Sequence, residues 1–430
     1  MASIDYCNAL TMAATGFQYF SEPGSAHSNM LDFDAAQSLL ACYGASPVKT
    51  ELIPLLQTSN RVLATSITAT TALPSADNSA MDGYAIRHAD YFAGKAFPVQ
   101  GCIYAGQQAF ALKSGCAIRV FTGTLLPEHA DTIVMQEHVQ VRDGEVLVTS
   151  SPREGSHIRR RGEDVSEGAI LLSPGVLLQP QHVALLASQG LDRVTVFAEV
   201  RVGILTTGDE LVPAGAVRHT HQIYDSNGLM LAAWAKRLGA QISSVLHAGD
   251  DKSAMQAELD ILLDQCDLVL IVGGASVGDR DFVRQVIDLM GGDPVLSGVG
   301  MKPGKPACVA SVRNKPVVCL PGNPSAALIV STLLVSPLIR RMQGRSTVLP
   351  NVFQFPLHVK QDAIVDRDQF IRVHCEFQTN GQHELFPLTQ QSPGALRSTA
   401  SSSGLARLSA GQNFEDGDIV PYYGWDYWLA

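Results

Sequence analysis

What this chain of 430 residues lacks narrows its class first. Its eight cysteines (Cys7, Cys42, Cys102, Cys116, Cys266, Cys308, Cys319, Cys375) form no CxxC pair, and no histidine cluster accompanies them. That argues against a zinc-ribbon or disulfide scaffold and for reduced thiols in a cytosolic protein. Positive charge is also short: 31 basic against 41 acidic residues leave a net charge of −10. The basic footprint that non-specific nucleic-acid binding needs is therefore absent. The first positive residue is Lys49, so the charged n-region of a secretory signal is missing. Long clean apolar runs are missing too. The closest, Ala326–Ile339, is short and interrupted by Ser331, Thr332, Ser336 and Pro337. A cytoplasmic protein is the expectation. With 46% apolar and only 17% charged residues, the chain reads as a packed enzyme, and its length calls for two to four domains.

Periodicity divides the chain. Residues 1–29 are small and polar without helical spacing and read as a flexible tail. Helix-like spacing starts at Met30 with Leu31, Phe33, Ala36, Leu39, Leu40 and Tyr43, which raises Met30 as an alternative start of translation. Residues 30–76 read as helical, and with 169–199 they form a split helical and β domain that includes a helix at Gln181–Gly190 and a strand at Val194–Phe197. Residues 77–168 are short alternating runs broken by glycine, an inserted β domain. From 200 to 345 strands alternate with helices, the pattern of a doubly wound parallel sheet. Residues 346–430 return to strands and turns and make a C-terminal β domain. The expected fold is thus multidomain, α/β plus β, with a barrel-like C-terminal part.

In a doubly wound sheet, ligands sit at the carboxyl ends of the strands. There the sequence places Thr206-Thr-Gly-Asp-Glu-Leu211, Gly273-Gly-Ala-Ser-Val-Gly278 followed by Asp279 and Asp281, Lys302-Pro-Gly-Lys-Pro306 and Pro321-Gly-Asn-Pro-Ser325. Glycine lets the backbone approach a phosphate, and a helix N-terminus adds partial positive charge. Prolines stiffen the turn that carries Lys302 and Lys305, a pair suited to an oxyanion. A tight turn or a solvated lysine loop would look the same at any one of these sites. Asn323 fits a helix cap with Pro324 at the first helical position, which accounts for part of that motif. Asp209, Glu210, Asp250, Asp251, Asp279 and Asp281 all follow strands. Carboxylates on one rim repel unless a cation joins them, and Mg²⁺ suits carboxylate and phosphate oxygens. Asp250 or Asp251 could equally cap a helix. Together these loops describe a site for an anionic, phosphate-bearing ligand and a metal.

With Asn78-Ser-Ala-Met-Asp-Gly-Tyr-Ala85, Phe121-Thr-Gly-Thr124, Val134-Met-Gln-Glu137 and Ile158-Arg-Arg-Arg-Gly-Glu-Asp164, the set resembles the MoeA-type molybdopterin molybdenumtransferases, which include the gephyrin E domain. The resemblance runs from about residue 30 to the C-terminus. It implies insertion of molybdate into adenylylated molybdopterin, with Mg²⁺ as cofactor and release of AMP. It also implies an elongated homodimer with the active site shared between subunits, and contacts with the molybdopterin adenylyltransferase and recipient molybdoenzymes. Carried over by motif, Asp82, Thr122, Asp164, Glu210, Asp250 and Asp281 would be catalytic, the last three also holding the metal. Gly274, Ser276, Gly278, Lys302, Lys305, Pro321, Asn323, Pro324, Ser325 and Arg372 would bind substrate and anion. Two positions depart from the family pattern: Gly298 where a basic residue is common, and Ala395 where a serine is common. A charge-assisted hydrogen bond contributes roughly 1.5–3 kcal/mol. Each departure therefore raises two alternatives: substitution by Arg340 or Arg397, or a non-catalytic carrier or scaffold of the same fold. The related adenylyltransferase shares the α/β domain, but the full set of four domains argues against that reading.

Overall fold

The structure, a computed structural model, describes residues 30–44, 49–274, 282–359, 363–379 and 381–429. The expected tail at 1–29 lies outside the described residues, as do Ser276, Gly278 and Asp281. The chain forms two compact units. One gathers the residues up to Ala64, Pro174–Val183 and the chain from Arg193 onward; the other holds Thr65–Ser173 and Ala184–Asp192.

The first unit is built on a six-stranded sheet in the order Gln241–Ala248, Arg201–Thr207, Leu268–Val272, Lys315–Leu320, Cys308–Val312, Asp293–Ser297. The first four strands are parallel and the last two antiparallel. Parallel strands covered on both faces must be apolar throughout, and Leu268–Val272 is buried at every position. Its alternate side chains serve two cores. Leu268, Leu270 and Val272 join Leu231, Trp234 and Leu333 on one face. Val269 and Ile271 join Leu259, Leu262 and Val286 on the other.

The helix Pro324–Met342 is long and apolar enough to cross a membrane, but 89% of it is buried inside the protein, so it is the central core helix. It opens into a π turn over Ser331–Val335, where Ser336 N–H reaches back to Ser331 O. Pro337 explains the turn, because it has no N–H for Leu333 O. The Gln37 side-chain amide supplies the missing donor at 2.8 Å.

Beyond this sheet, five strands close on themselves: Asp368–Phe377, His383–Pro387, Phe353–Leu357, Asp418–Gly424, Gly404–Leu408 and back to the first. The closed ring is the expected C-terminal barrel. Met301–Lys302 adds in parallel to its first strand, pairing Lys302 with Gln369.

The second unit carries a six-stranded sheet in the order Thr132–Met135, Gly83–Ile86, Ala117–Val120, Ala96–Ile103, Glu145–Val148, Val139–Arg142. Phe97, Tyr84 and Val146 fill one side of its core, and Ile103, Ile118 and Ile133 the other.

One expectation needs correction. Among the described residues of 30–76, helix spans only Phe33–Cys42 and, briefly, Leu55–Gln57; Thr50–Pro54 is a strand paired antiparallel with Arg193–Phe197. Its partner is remote in sequence, so local periodicity did not reveal it. Among the described cysteines, Cys102, Cys116, Cys266 and Cys375 are free thiols, in keeping with the expected reduced state.

Candidate active site

The carboxyl ends of the parallel strands meet where glycine is required. A Cβ on Gly273 (φ +101) would lie 2.6 Å from Thr207 Oγ1. A Cβ on Gly322 would touch the Gly273 Cα at 3.6 Å. Asn227, the first residue of the helix Asn227–Arg237, ties this edge together by donating its side-chain amide to Gly322 O at 2.7 Å. The sequence reading missed Asn227; its one signal was the turn-like Asp225-Ser-Asn-Gly228 before a helical period.

The acids arrange themselves around the same edge. Glu210 folds its carboxylate over Gly208, so closely that a Cβ there would lie 2.4 Å from Oε2. Asp209 Oδ1 accepts the Asp250 N–H at 3.0 Å. The capping question between two neighbours resolves: Asp251 caps the helix Lys252–Gln265 by accepting Ala254 N–H at 2.7 Å, which leaves the Asp250 carboxylate uncommitted to the helix. Among the described residues no group of three or more His, Cys, Asp or Glu could hold a metal ion. Glu210 and Asp250 are there as hard oxygen donors, and Asp281 lies outside the described residues.

The anion-binding candidates divide. Lys302 and Lys305 are both exposed, on the turn that leads onto the barrel. The turn is folded by Val299 N–H to Lys305 O and Gly298 N–H to Ala307 O. Pro321 is buried and Gly322 exposed. Asn323 is the N-cap residue with Pro324 next, as expected, but its side chain makes no capping bond. The Ser325 N–H instead donates to Pro393 O at 3.1 Å, so the barrel's Pro393-Gly394 turn covers this helix end.

Arg372 is 1% exposed. It donates through Nη1 to Ser325 Oγ, and through Nη2 to Gln390 O at 2.9 Å and Ser392 O at 3.0 Å. Burial lowers the pKa of its guanidinium. Thr399, which carried no signal in its serine-rich surroundings, donates to Ser325 Oγ at 2.9 Å. Ser325, Arg372 and Thr399 are thus one node, which joins the first turn of the core helix to the barrel.

The departures from the family pattern also have physical settings. Gly298 sits at φ +89 with its N–H bonded, and a Cβ would lie 3.2 Å from Lys305 O, so a basic side chain there would be strained. Ala395 is the N-cap of Leu396–Ser401 without a capping side chain. Arg340 does not substitute for a lost anion contact: it is 2% exposed and donates to Ser336 Oγ and Trp428 O. Arg397 is exposed on the short helix that carries Thr399.

In the second unit Asp82 and Thr122 come together. Asp82 Oδ1 accepts the Thr122 N–H at 2.8 Å and its hydroxyl at 3.0 Å. These bonds, backbone first, hold the Asp82 carboxyl below its ordinary pKa, with Arg119 adding positive field. Asp164 is exposed, its N–H bonded to Leu73 O at 3.0 Å, away from that pair's hydrogen bonds. Of the arginine run, Arg160 and Arg161 are held by Asp77 and Glu167.

A parallel sheet with glycine turns, hydroxyls, acids and a lysine turn at its carboxyl edge defines an α/β protein of the class whose ligand sites lie at that edge. Comparison with known proteins narrows the class. Residues 31–190 match the MoeA N-terminal region (domain I and II), 203–341 a probable molybdopterin binding domain, and 356–425 the MoeA C-terminal region (domain IV). The molybdopterin molybdenumtransferase of Haemophilus influenzae is 36% identical over 320 residues, covering 74% of this chain and 78% of that one. The Synechococcus elongatus protein of the same name is 31% identical over 90% of this chain and 97% of its own. The crystal structure of a molybdopterin biosynthesis MoeA protein from Pyrococcus horikoshii superposes with a TM-score of 0.78 at 26% identity, over 92% of this chain and 100% of that one. The chain belongs to the MoeA-type molybdopterin molybdenumtransferase family.

Proposed function

We propose that this protein is a molybdopterin molybdenumtransferase that inserts molybdate into adenylylated molybdopterin and releases AMP, completing molybdenum cofactor. The observation that carries the reading is the convergence of the Thr207, Gly273 and Gly322 turns at one sheet edge, with Lys302 paired onto the barrel strand of Arg372. Backbone approach at the glycines suits the phosphates. Lys302 and Lys305 gather molybdate, and the Ser325–Arg372–Thr399 node fixes the helix end beside them. Electrostatic preorganisation does most of the work, since the donors are already held before charge develops.

Glu210 and Asp250, with Asp281, are the residues that would hold Mg²⁺. This ion commonly takes one or two carboxylates and completes its shell with water and phosphate oxygens, and the carboxylates of Glu210 and Asp250 are donors of that chemistry. Bound there, it would neutralise charge on the phosphoanhydride. Asp82, Thr122 and Asp164 belong to the inserted β domain, which the family resemblance assigns to the active site of the other subunit. The reading carries with it a homodimer with a shared active site and a cytoplasmic location. It also carries division into 30–76 with 169–199, 77–168, 200–345 and 346–430, and handover to recipient molybdoenzymes.

The missing basic side chain at Gly298, whose φ of +89 suits glycine, motivates a second reading, a carrier that binds molybdopterin without turnover. Purified protein with adenylylated molybdopterin, Mg²⁺ and molybdate separates the two. Molybdate-dependent AMP release, with reconstitution of an apo-molybdoenzyme, supports the transferase. Tight binding with neither product supports the carrier.

A further inference from the structure

The second unit carries a ladder of planar groups that the reaction above leaves unused. Tyr84 and Arg119 are paired across adjacent strands, and the Arg119 guanidinium lies 5.0 Å from the Tyr84 ring centroid. Two residues on, Phe121 takes the same guanidinium at 5.0 Å. Ile103 is in register with Val120, which brings the next residue, Tyr104, beside Phe121. The two rings stack at 4.9 Å with an interplanar angle of 8°.

Tyr104, at the end of the ladder, is 55% exposed. Its backbone is fixed by a turn in which Tyr104 N–H donates to Gln107 Oε1 and Gln107 N–H to Tyr104 O, both at 3.1 Å. The ladder is also tied to the candidate site: Thr122, which holds Asp82, follows Phe121 directly, and Arg119 contributes to the field on Asp82.

We propose that Tyr104 is a stacking platform for a planar nitrogen heterocycle of the ligand bound at the Asp82–Thr122 pair. The proposal rests on the transferase reading, whose substrate offers two such rings, the adenine of its AMP part and the pterin. An exposed tyrosine already held parallel to a second ring presents its outer π face at little ordering cost, and stacking of this kind is indifferent to hydrogen-bond pattern. The Arg119 guanidinium, within cation–π distance of both Tyr84 and Phe121, adds attraction along the ladder.

The test uses the full chain with Tyr104→Phe, which keeps the ring, and Tyr104→Ala, which removes it. Equilibrium binding is measured by titration calorimetry with two probes, AMP and a free pterin. Tyr104→Ala is expected to weaken one probe about ten-fold while Tyr104→Phe stays within about two-fold of wild type, and the probe affected identifies the ring. In turnover, KM for adenylylated molybdopterin should rise in Tyr104→Ala with kcat nearly kept. Equal binding of both probes by all three proteins, or by none, overturns the platform. So does a Tyr104→Phe protein as impaired as Tyr104→Ala, because the hydroxyl would then be the active group. Absence of wild-type turnover alongside ring-dependent binding would instead overturn the transferase reading and leave the platform standing.

Discussion

The family resemblance marks Arg372 as a group facing an anion, and its burial gives it a second task. Three of its hydrogen bonds hold Ser325 and the carbonyls of Gln390 and Ser392. A planar fork can serve such divergent acceptors at once, and a lysine ammonium cannot. Arg372→Lys should therefore lose at least one of these part-buried bonds, at about 0.5–1.5 kcal/mol. Urea unfolding would read that loss, and molybdate-dependent turnover should fall with it. Unchanged stability would mean that the node relaxes freely. Asp82 makes a different prediction. Its folded pKa is depressed below the ordinary 3.8, so its bond to Thr122 contributes fully above that value and is lost as pH falls through the lower folded one. Activity should thus show no Asp82-dependent loss between about pH 5 and 8. A midpoint in that window abolished by Asp82→Asn would contradict the assignment. At this scale the sequence revealed chemistry by residue type after strands, as at Ser325, whereas Asp82 and Thr122 stood out only through the family resemblance. It could not reveal Asn227 or Thr399, because an amide and a hydroxyl in turn-like surroundings have many ordinary uses. Nor could it choose between Asp250 and Asp251 as a cap, which depends on the residue at which the helix begins.

Elements were legible where burial dictates composition. The strands Arg201–Thr207 and Leu268–Val272 are continuous apolar runs because both faces are covered. Strand Gly404–Leu408 escaped notice: its five residues begin with glycine and include an arginine, and its two partners come from elsewhere in the barrel. The π turn in the core helix was equally hidden, since its cause, Pro337, is visible but its remedy, Gln37, lies on another helix. That division of labour can be tested. Gln37→Leu should cost about 1–3 kcal/mol, because Leu333 O loses its donor inside the core. In a Pro337→Ala background the backbone N–H restored by the alanine can serve Leu333 O, so the same change should be nearly neutral. A double-mutant cycle in urea would read the coupling, and additive costs would refute the explanation. The helix Leu396–Ser401 makes a simpler case. Ala395 supplies no cap, so Ala395→Ser should stabilise it by about 1 kcal/mol, seen as a rise in melting temperature.

Across the first unit, the N-terminal helix and the C-terminal barrel are joined through Arg407. Its guanidinium meets Asp34 at both carboxylate oxygens, at 2.7 and 2.8 Å, and Asp368 at 2.8 Å. It also lies 4.8 Å from the Phe33 ring centroid. Phe33 in turn packs on Phe370 and Tyr423 of the barrel, so charge and apolar contact act at one place. The partners differ in weight. Asp34 is exposed and its bond is screened, whereas Asp368 is 6% exposed and has the Ala410 N–H as its other hydrogen-bond donor. Removing the arginine should therefore hurt mainly by stranding Asp368. Arg407→Met keeps most of the stem packing and should destabilise by about 3–5 kcal/mol, while Asp34→Asn should cost under about 1 kcal/mol. The difference decides whether the N-terminal helix is held by a surface ion pair or by a buried one. If Asp34→Asn costs as much as Arg407→Met in chemical unfolding, the exposed bidentate pair carries the joint and the burial argument fails. If the order is as expected, loss of Arg407 should also loosen the barrel strand Asp368–Phe377 that positions Arg372 and pairs with Lys302. Turnover would then fall in Arg407→Met, although none of its contacts reaches the proposed site.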